Sequence, residues 1–387
     1  MSLALVLSLA LTQAPTEAAP APVAETPAAD VASADPAPAA APAEPPKPEQ
    51  QWWQKVTLSG FARVGVFYSF PFQEEQLVGG NGGFRVADFR LGLDFHPVDK
   101  LTVYTSIELA APLVDANDPL TGHRIVDVRD AYIQYDVTNY FQIRAGQFRP
   151  PYYAEMLQSD GSIPFVSRSV LAGGISPPEA YGPRQGLAPD RQVGVQVGSA
   201  RLGQRFGFKY SLAVTNGNGF NQLFNDNNAV TPVARVEVDI SQRVTLGVNG
   251  YYNSRADGVR PNRLTTNQLA YGADLSANHM GITALVAFLG KSSTYSYAGL
   301  PPDSSLGALG QVRYFHTGTG LEAAARFAWF EPSGAQTDDQ VMEIAAMVGW
   351  KPFELPFRVL VQYTHRNEEA RASYPNDSVD MMLHAVW

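Results

Sequence analysis

Arginines recur along this chain in two patterns that would suit the binding of small anions. Four of them, Arg149, Arg168, Arg184 and Arg191, fall in residues 149–191, a segment without alternation that lies between two alternating stretches. A guanidinium suits oxyanions because its planar fork donates two parallel hydrogen bonds and keeps its charge. We therefore expect this segment to present cations to a solute.

A second set of arginines lies on the polar face of segments in which polar and apolar residues alternate. Its members are Arg63, Arg90, Arg144, Arg235, Arg313, Arg326 and Arg358. Acidic residues share this face, so charges of both signs line it. Glu322 and Arg326 lie on the same face of one segment, with one residue of that face between them, and we expect them to form an ion pair.

The acidic residues of the 149–191 segment leave two roles open for its arginines. Glu155, Asp160, Glu179 and Asp190 could form an acidic lining opposite the arginines. They could equally pair with the arginines and pin the segment to its surroundings. The sequence does not decide between solute contact and pinning.

Catalytic and metal chemistry find no support in the sequence. The six histidines lie mostly at turns or segment ends and never in metal-ligand spacing. Cysteine is absent, and no Gly-x-Ser-x-Gly motif occurs. The glycine-rich stretches 79–83 and 203–207 open no helix, so they do not predict phosphate cradles. We expect no enzyme activity, no bound metal and no cofactor.

About sixteen alternating segments follow Trp52, and period-two alternation indicates β-strands. The connections between them alternate strictly in length. Long connections, such as 216–228 and 255–267, follow the odd segments, whereas tight turns, such as 138–139 and 241–242, follow the even ones. Long loops at one end only are typical of an up-and-down barrel in an outer membrane.

The size of such a sheet decides which face lies inside. A cylinder of sixteen strands is too wide for side chains to fill, so its interior must hold water and its apolar face must contact lipid. The last segment alternates up to Trp387, and it must pair with the first because an open sheet edge cannot lie in hydrocarbon. The sequence thus predicts a 16-stranded antiparallel transmembrane β-barrel.

The ends and the charge of the chain add three expectations. Residues 1–14 have the apolar core of a signal peptide, and residues 15–51 are rich in Ala and Pro and favour a disordered periplasmic segment. Residues 52–387 form the barrel. The net charge of −9 argues against a nucleic-acid partner.

The motif GQFRPPY at residues 146–152 resembles the phosphate-selective porins of the O and P type. Shorter stretches agree with that family in order and spacing, at 129–133, 167–169, 190–194, 210–219 and 321–326. The resemblance extends over residues 55–387. It implies a trimeric outer-membrane channel of sixteen strands, whose third external loop folds inward to form a constriction.

On this resemblance the constriction would include Arg149, Tyr152, Arg168, Arg184 and Arg191. The chain departs from the family pattern, because it has only six lysines and mixed charge on the polar face. The expected function is passive diffusion of small hydrophilic solutes or ions, including anions such as phosphate. An outer-membrane barrel enzyme and a structural or adhesion barrel remain as alternatives.

Overall fold

The computed structural model describes residues 51–387, apart from eleven gaps. The gaps are 71–81, 115–121, 175–185, 204–205, 220, 223, 258–262, 297–298, 338, 353–354 and 371. The expected signal peptide and nearly all of the Ala- and Pro-rich segment therefore lie outside the described residues. Within the described part, no helix is long and apolar enough to cross a membrane.

The described chain is almost entirely β-sheet after a 3-10 turn at Trp52–Lys55. The strands are β1 Val56–Phe70, β2 Gly83–Val98, β3 Leu101–Val114, β4 Gly122–Thr138, β5 Phe141–Phe148, β6 Gln192–Gly198, β7 Phe208–Thr215, β8 Thr231–Ser241, β9 Val244–Asp257, β10 Leu264–His279, β11 Ile282–Tyr295, β12 Asp303–Phe315, β13 Leu321–Glu331, β14 Val341–Trp350, β15 Phe357–Ala370, β16 Ala372–Pro375 and β17 Asp377–Val386. Two one-turn helices, α1 Ala154–Leu157 and α2 Val170–Gly173, lie between β5 and β6.

Residues 55–387 form a closed antiparallel sheet in which each strand pairs with its neighbours in sequence. The short β16 only extends the hairpin of β15 and β17, which pair directly with each other, so sixteen strands form the wall. The last strand pairs with the first, with Phe61 opposite Val386 and Val66 opposite Met381. The predicted barrel and its closure are confirmed.

The two faces of each wall strand differ in chemistry and in exposure. On β13, Glu322 and Arg326 are buried, whereas Leu321 and Phe327 on the opposite face are about half exposed. Exposed apolar side chains on the outside of a closed sheet are what a membrane barrel presents to lipid. On β13 the buried face is thus the polar one.

Part of the inward face is apolar, which the alternation argument did not anticipate. On β11, Leu285, Ala287 and Leu289 are buried while Val286 and Phe288 face outward. Comparable inward residues on strands β7 to β14 join them in one apolar cluster: Ala213, Val233, Tyr251, Ala270, Leu309, Ala328, Phe330 and Val341. The strands that carry this cluster therefore have apolar residues on both faces where the cluster lies, beside inward charged residues such as Arg235 and Arg326.

Residues 149–191, hereafter the long loop, contact this cluster. Pro150 and Pro151 lack backbone donors and end the pairing of β5, as expected. Leu171 of α2 and Leu187, each at most 1% exposed, pack in the cluster. The sequence of the long loop shows no alternation, yet the loop forms α1 and α2, because its apolar residues pack on this inner surface.

Candidate functional site

Asp160 of the long loop is the shared partner of three arginines. Its carboxylate receives hydrogen bonds from Arg90 at 2.8 Å, Arg149 at 3.0 Å and Arg168 at 2.8 Å. Burial by itself raises the pKa of Asp160, but the guanidinium groups of Arg149, Arg168 and Arg90 outweigh it and hold this pKa well below its usual value. The carboxylate is thus charged at neutral pH and joins the long loop to strand β2.

Two of the predicted constriction cations also hold the backbone of the long loop. Arg149 donates to the carbonyls of Met156 at 2.7 Å and Gln158 at 2.6 Å. Arg168 donates to the same Gln158 carbonyl at 2.7 Å. Burial lowers the pKa of Arg149 to about 10, so this guanidinium is still charged at neutral pH. These arginines are occupied by the protein itself, which favours pinning over direct solute contact.

The other predicted loop residues have different surroundings. Arg191 forms two hydrogen bonds of 3.0 Å with Asp130 of β4. Tyr152 is 1% exposed and donates its hydroxyl to the carbonyl of Tyr271 at 3.1 Å, so it anchors the loop to β10. Arg184 and Glu179 lie outside the described residues.

Four wall arginines donate to carbonyls of the long loop, and each also contacts a carboxylate of the wall. Arg63 binds the carbonyl of Val166 at 3.1 Å, Arg235 that of Tyr152 at 2.6 Å, Arg326 that of Ser167 at 2.8 Å, and Arg358 that of Ile163. Their carboxylate partners are Asp88, Asp274, Glu343 and Glu322, in the same order. Irregular backbone that is removed from water needs such partners for its carbonyls.

These four arginines lie on β1, β8, β13 and β15, which are distributed around the closed sheet. A single segment can reach strands on several sides of a cylinder only from within it. The long loop therefore contacts the inward face of the wall on several sides.

The expected ion pair between Glu322 and Arg326 is wrong. Glu322 pairs with Arg313 at 2.5 Å and with Arg358 at 3.3 Å, while Arg326 pairs with Glu343 at 2.7 Å. Residues four apart on one strand are farther from each other than from residues on the adjoining strands, so each side chain pairs with a cross-strand neighbour.

Arg144 and Arg313 are the wall arginines from the predicted set that do not bind the long loop in the described contacts. Arg144 donates to the side-chain oxygen of Gln134 and lies over the ring of Tyr132. Arg313 keeps a quarter of its side chain exposed while it pairs with Glu322. Both guanidinium groups are more accessible than the loop-binding ones.

A polar cavity of about 310 Å³ lies between the long loop and the ends of strands β9 to β12. The loop contributes Gln158 and Ser162, and the wall contributes Thr245, Asn278, Gln311 and the two cations Arg243 and Arg313, among others. No carboxylate lines this cavity in the described part of the chain. The cavity lies toward the short turns, because Gln242 and Arg243 form the turn between β8 and β9.

The long loop also has an apolar anchor, whose residues are not among those predicted from the sequence. Tyr153, Phe165 and Leu171 are each at most 1% exposed, and Phe165 packs in a second cluster against Met347 and Met382. A usable signal existed, because residues 284–289 form a continuous apolar run, typical of a strand covered on both faces.

Among the described residues, no three His, Asp or Glu side chains are placed to hold a metal ion.

Comparison with known proteins places this geometry in context. The family model described as phosphate-selective porin O and P matches residues 62–279, which is more than half of the chain. No curated protein sequence matches significantly.

Three similar solved structures share the fold at low identity. The outer membrane channel DcaP of Acinetobacter baumannii is 15% identical, with a TM-score of 0.61 and coverage of 86% of this chain and 97% of that chain. The anion-selective porin from Comamonas acidovorans is 11% identical, with a TM-score of 0.56 and coverage of 86% and 99%. OmpT of Vibrio cholerae, in its trimer form, is 13% identical, with a TM-score of 0.53 and coverage of 86% and 99%.

Proposed function

Because this chain belongs to the phosphate-selective porin O and P family, we propose that its channel favours small anionic solutes. The protein is an outer-membrane porin, a barrel for passive diffusion. The proposal concerns which solutes pass and which residues select them.

The absence of carboxylates from the cavity beside the long loop carries the proposal. Its charged lining residues are Arg243 and Arg313, and its other polar residues are amides and hydroxyls. Arg243 is exposed on a turn, so its charge acts directly on an entering ion. Arg313 is paired with Glu322, whereas no described carboxylate pairs with Arg243, and an uncompensated positive charge raises the local concentration of anions.

The same geometry favours weak selection over tight capture. The described arginines of the long loop and most described wall arginines are engaged by carboxylates and carbonyls, so few of these donors are left to strip water from a phosphate. Conduction requires binding that is strong enough to admit an ion and weak enough to release it. We therefore propose a preference for anions as a class, with phosphate as one of several.

The long loop sets the size limit in this proposal. Asp160 and its three guanidinium partners fix the loop to β2, and Arg235 and Arg358 fix it to β8 and β15. A loop held at several points keeps a constant cross-section, whereas a loosely held one would fluctuate. The solute then passes between the loop and the wall.

We also propose that the protein assembles as a homotrimer, as the family resemblance implies. The trimer form of the similar OmpT structure supports this, although that likeness extends only to the fold. The mass of the detergent-solubilised protein, determined by light scattering coupled to size exclusion, tests it. A mass of one chain after correction for detergent would contradict it.

The channel is tested by single-channel recording in planar bilayers, with the reversal potential measured in a salt gradient. We expect an anion-selective potential that falls toward zero in the double variant Arg243→Gln, Arg313→Gln, because the cavity loses both of its cations. Arg263→Gln is the matched control, since Arg263 is exposed, donates to the carbonyl of Asp226 and does not line the cavity.

The outcomes separate the alternatives. Folded protein that carries no current would indicate a plugged barrel with a structural, adhesive or enzymatic role. A cation-selective potential in the unaltered protein would refute the anion preference. A double variant with unchanged selectivity would show that the cavity is not the selecting element.

A further inference from the structure

Two carboxyl groups face each other at the outer ends of β13 and β14, away from the solute cavity. Glu331 is the last residue of β13, and Asp339 precedes β14 by two positions. Their side chains are close enough to share a hydrogen bond. Asp303, at the start of β12, adds a third negative charge nearby.

Asp339 is buried without a hydrogen-bond donor. Its side chain is 3% exposed, and neither of its carboxylate oxygens has a partner among the described atoms. One oxygen of Glu331 is also without a partner. Asp303 is different, because its carboxylate accepts from the backbone amides of Ser304 at 2.8 Å and Ala335 at 3.1 Å.

A buried carboxylate that faces another carboxylate needs a compensating positive charge. Leaving an ionised group in a low-dielectric site without a partner costs far more than a domain can spare. The compensation is either a proton shared by the pair or a metal ion between them. Burial is the largest cause that raises the pKa of Asp339, to about 8, and the contact with Glu331 and the charge of Asp303 add to it. The raised pKa has the same origin, because no positive charge compensates the carboxylate.

We propose that Glu331 and Asp339 bind a divalent cation, Ca²⁺ by its preference for oxygen ligands, at the outer end of β13 and β14. Two carboxylates supply up to four oxygens, and water completes a shell of six to eight, as Ca²⁺ accepts in flexible sites. Asp303 strengthens the local negative potential while its own oxygen stays bound to backbone amides. No third protein carboxylate is needed for a weak extracellular site.

The cation would fasten the connection between β13 and β14. This connection already folds over the start of β12, where Gly334 donates to the carbonyl of Ser304 at 2.7 Å and Ser305 donates to that of Pro332 at 2.6 Å. Two repelling carboxylates at its far end would loosen it when no cation is bound. The site thus links divalent cations outside the cell to the order of an external loop.

The test is hydrogen exchange of the amides of residues 333–337, 339 and 340 in the folded, detergent-solubilised protein at pH 8, with chelator or with 10 mM CaCl₂. Extracellular Ca²⁺ sites have dissociation constants near 1 mM, which gives roughly tenfold slower exchange at ten times that concentration. We expect this slowing in the unaltered protein and its loss in both Glu331→Gln and Asp339→Asn. Asp99→Asn, an exposed turn carboxylate, should keep it.

The outcomes decide between cation and proton. Exchange that ignores Ca²⁺ but slows from pH 8 to pH 6 after correction for the intrinsic rate would show a shared proton and overturn the cation site. Exchange that ignores both would overturn it as well, as would equal Ca²⁺ protection in Asp339→Asn. A variant is interpreted only if it is folded, which is shown by the heat-modifiable shift of the intact barrel on gels. If one of the two variants does not fold, the other still tests the site.

Discussion

Replacing Asp160 by Asn should release the long loop from the barrel wall. The carboxylate is the common partner of Arg90, Arg149 and Arg168, and its side chain is 11% exposed. Asparagine keeps one acceptor oxygen but removes the charge. Three guanidinium groups would then face one another around a neutral amide.

The size of the effect follows from burial. Removing one partner of a buried ion pair costs about 3–5 kcal/mol, because the remaining charge is left uncompensated. Water reaches the edge of this cluster, since both loop arginines are 12% exposed, so the lower end of that range applies. About 3 kcal/mol corresponds to an opening of the loop that is more than 100-fold more frequent.

Hydrogen exchange of the long loop measures this opening. The amide of Val166, which donates to the side chain of Gln362 at 2.8 Å, should exchange about 100-fold faster in Asp160→Asn if the loop detaches by about 3 kcal/mol. Asp136→Asn is the matched control, because it removes a carboxylate of the same wall that contacts Gln134 and not the loop. Unchanged exchange at Val166 would refute the idea that this cluster pins the loop.

Two further predictions concern the same loop. Leu171→Ala removes a fully buried side chain from the apolar cluster, so it should destabilise the packing of α2 by about 2–5 kcal/mol and increase open-channel current noise. Leu212→Ala, on the outer face of β7, is the control and should leave the noise unchanged. Equal noise in the two variants would contradict the anchoring role of Leu171. Because the pKa of Asp160 is depressed, its contribution to loop docking is present above the unfolded pKa and is lost only as the pH falls through the lower folded value. Exchange at Val166, corrected for the intrinsic rate, should therefore stay constant from pH 7 to about pH 4, and a loss of protection near pH 5 would contradict this.

Local pattern was sufficient for the wall. Period-two alternation placed Arg326 and Glu322 on the inward face and Phe327 outside, because successive side chains of a strand point to opposite faces. The alternation of long and short connections gave the up-and-down order. The closure of β1 on β17 followed from the need to satisfy both edges in hydrocarbon.

The inward apolar cluster was not predicted, because the inward face of the barrel was expected to be polar throughout. Leu285 and Leu289 lie on the inward face of β11, because their parity differs from that of the exposed Phe288. Those positions are apolar because the long loop covers them. A strand that is apolar on both faces indicates a protein cover on the inside.

The sequence by itself determined the barrel, the position of the long loop and the set of arginines that face inward, since each depends on residues close together along the chain. Only the tertiary structure decided what those arginines bind. Arg358 meets Ile163 and Glu322, and Arg235 meets Tyr152 and Asp274, across separations that no local pattern encodes. The physical reason is that a buried charge on the inward face takes the partner that strand register and loop packing bring within hydrogen-bond distance.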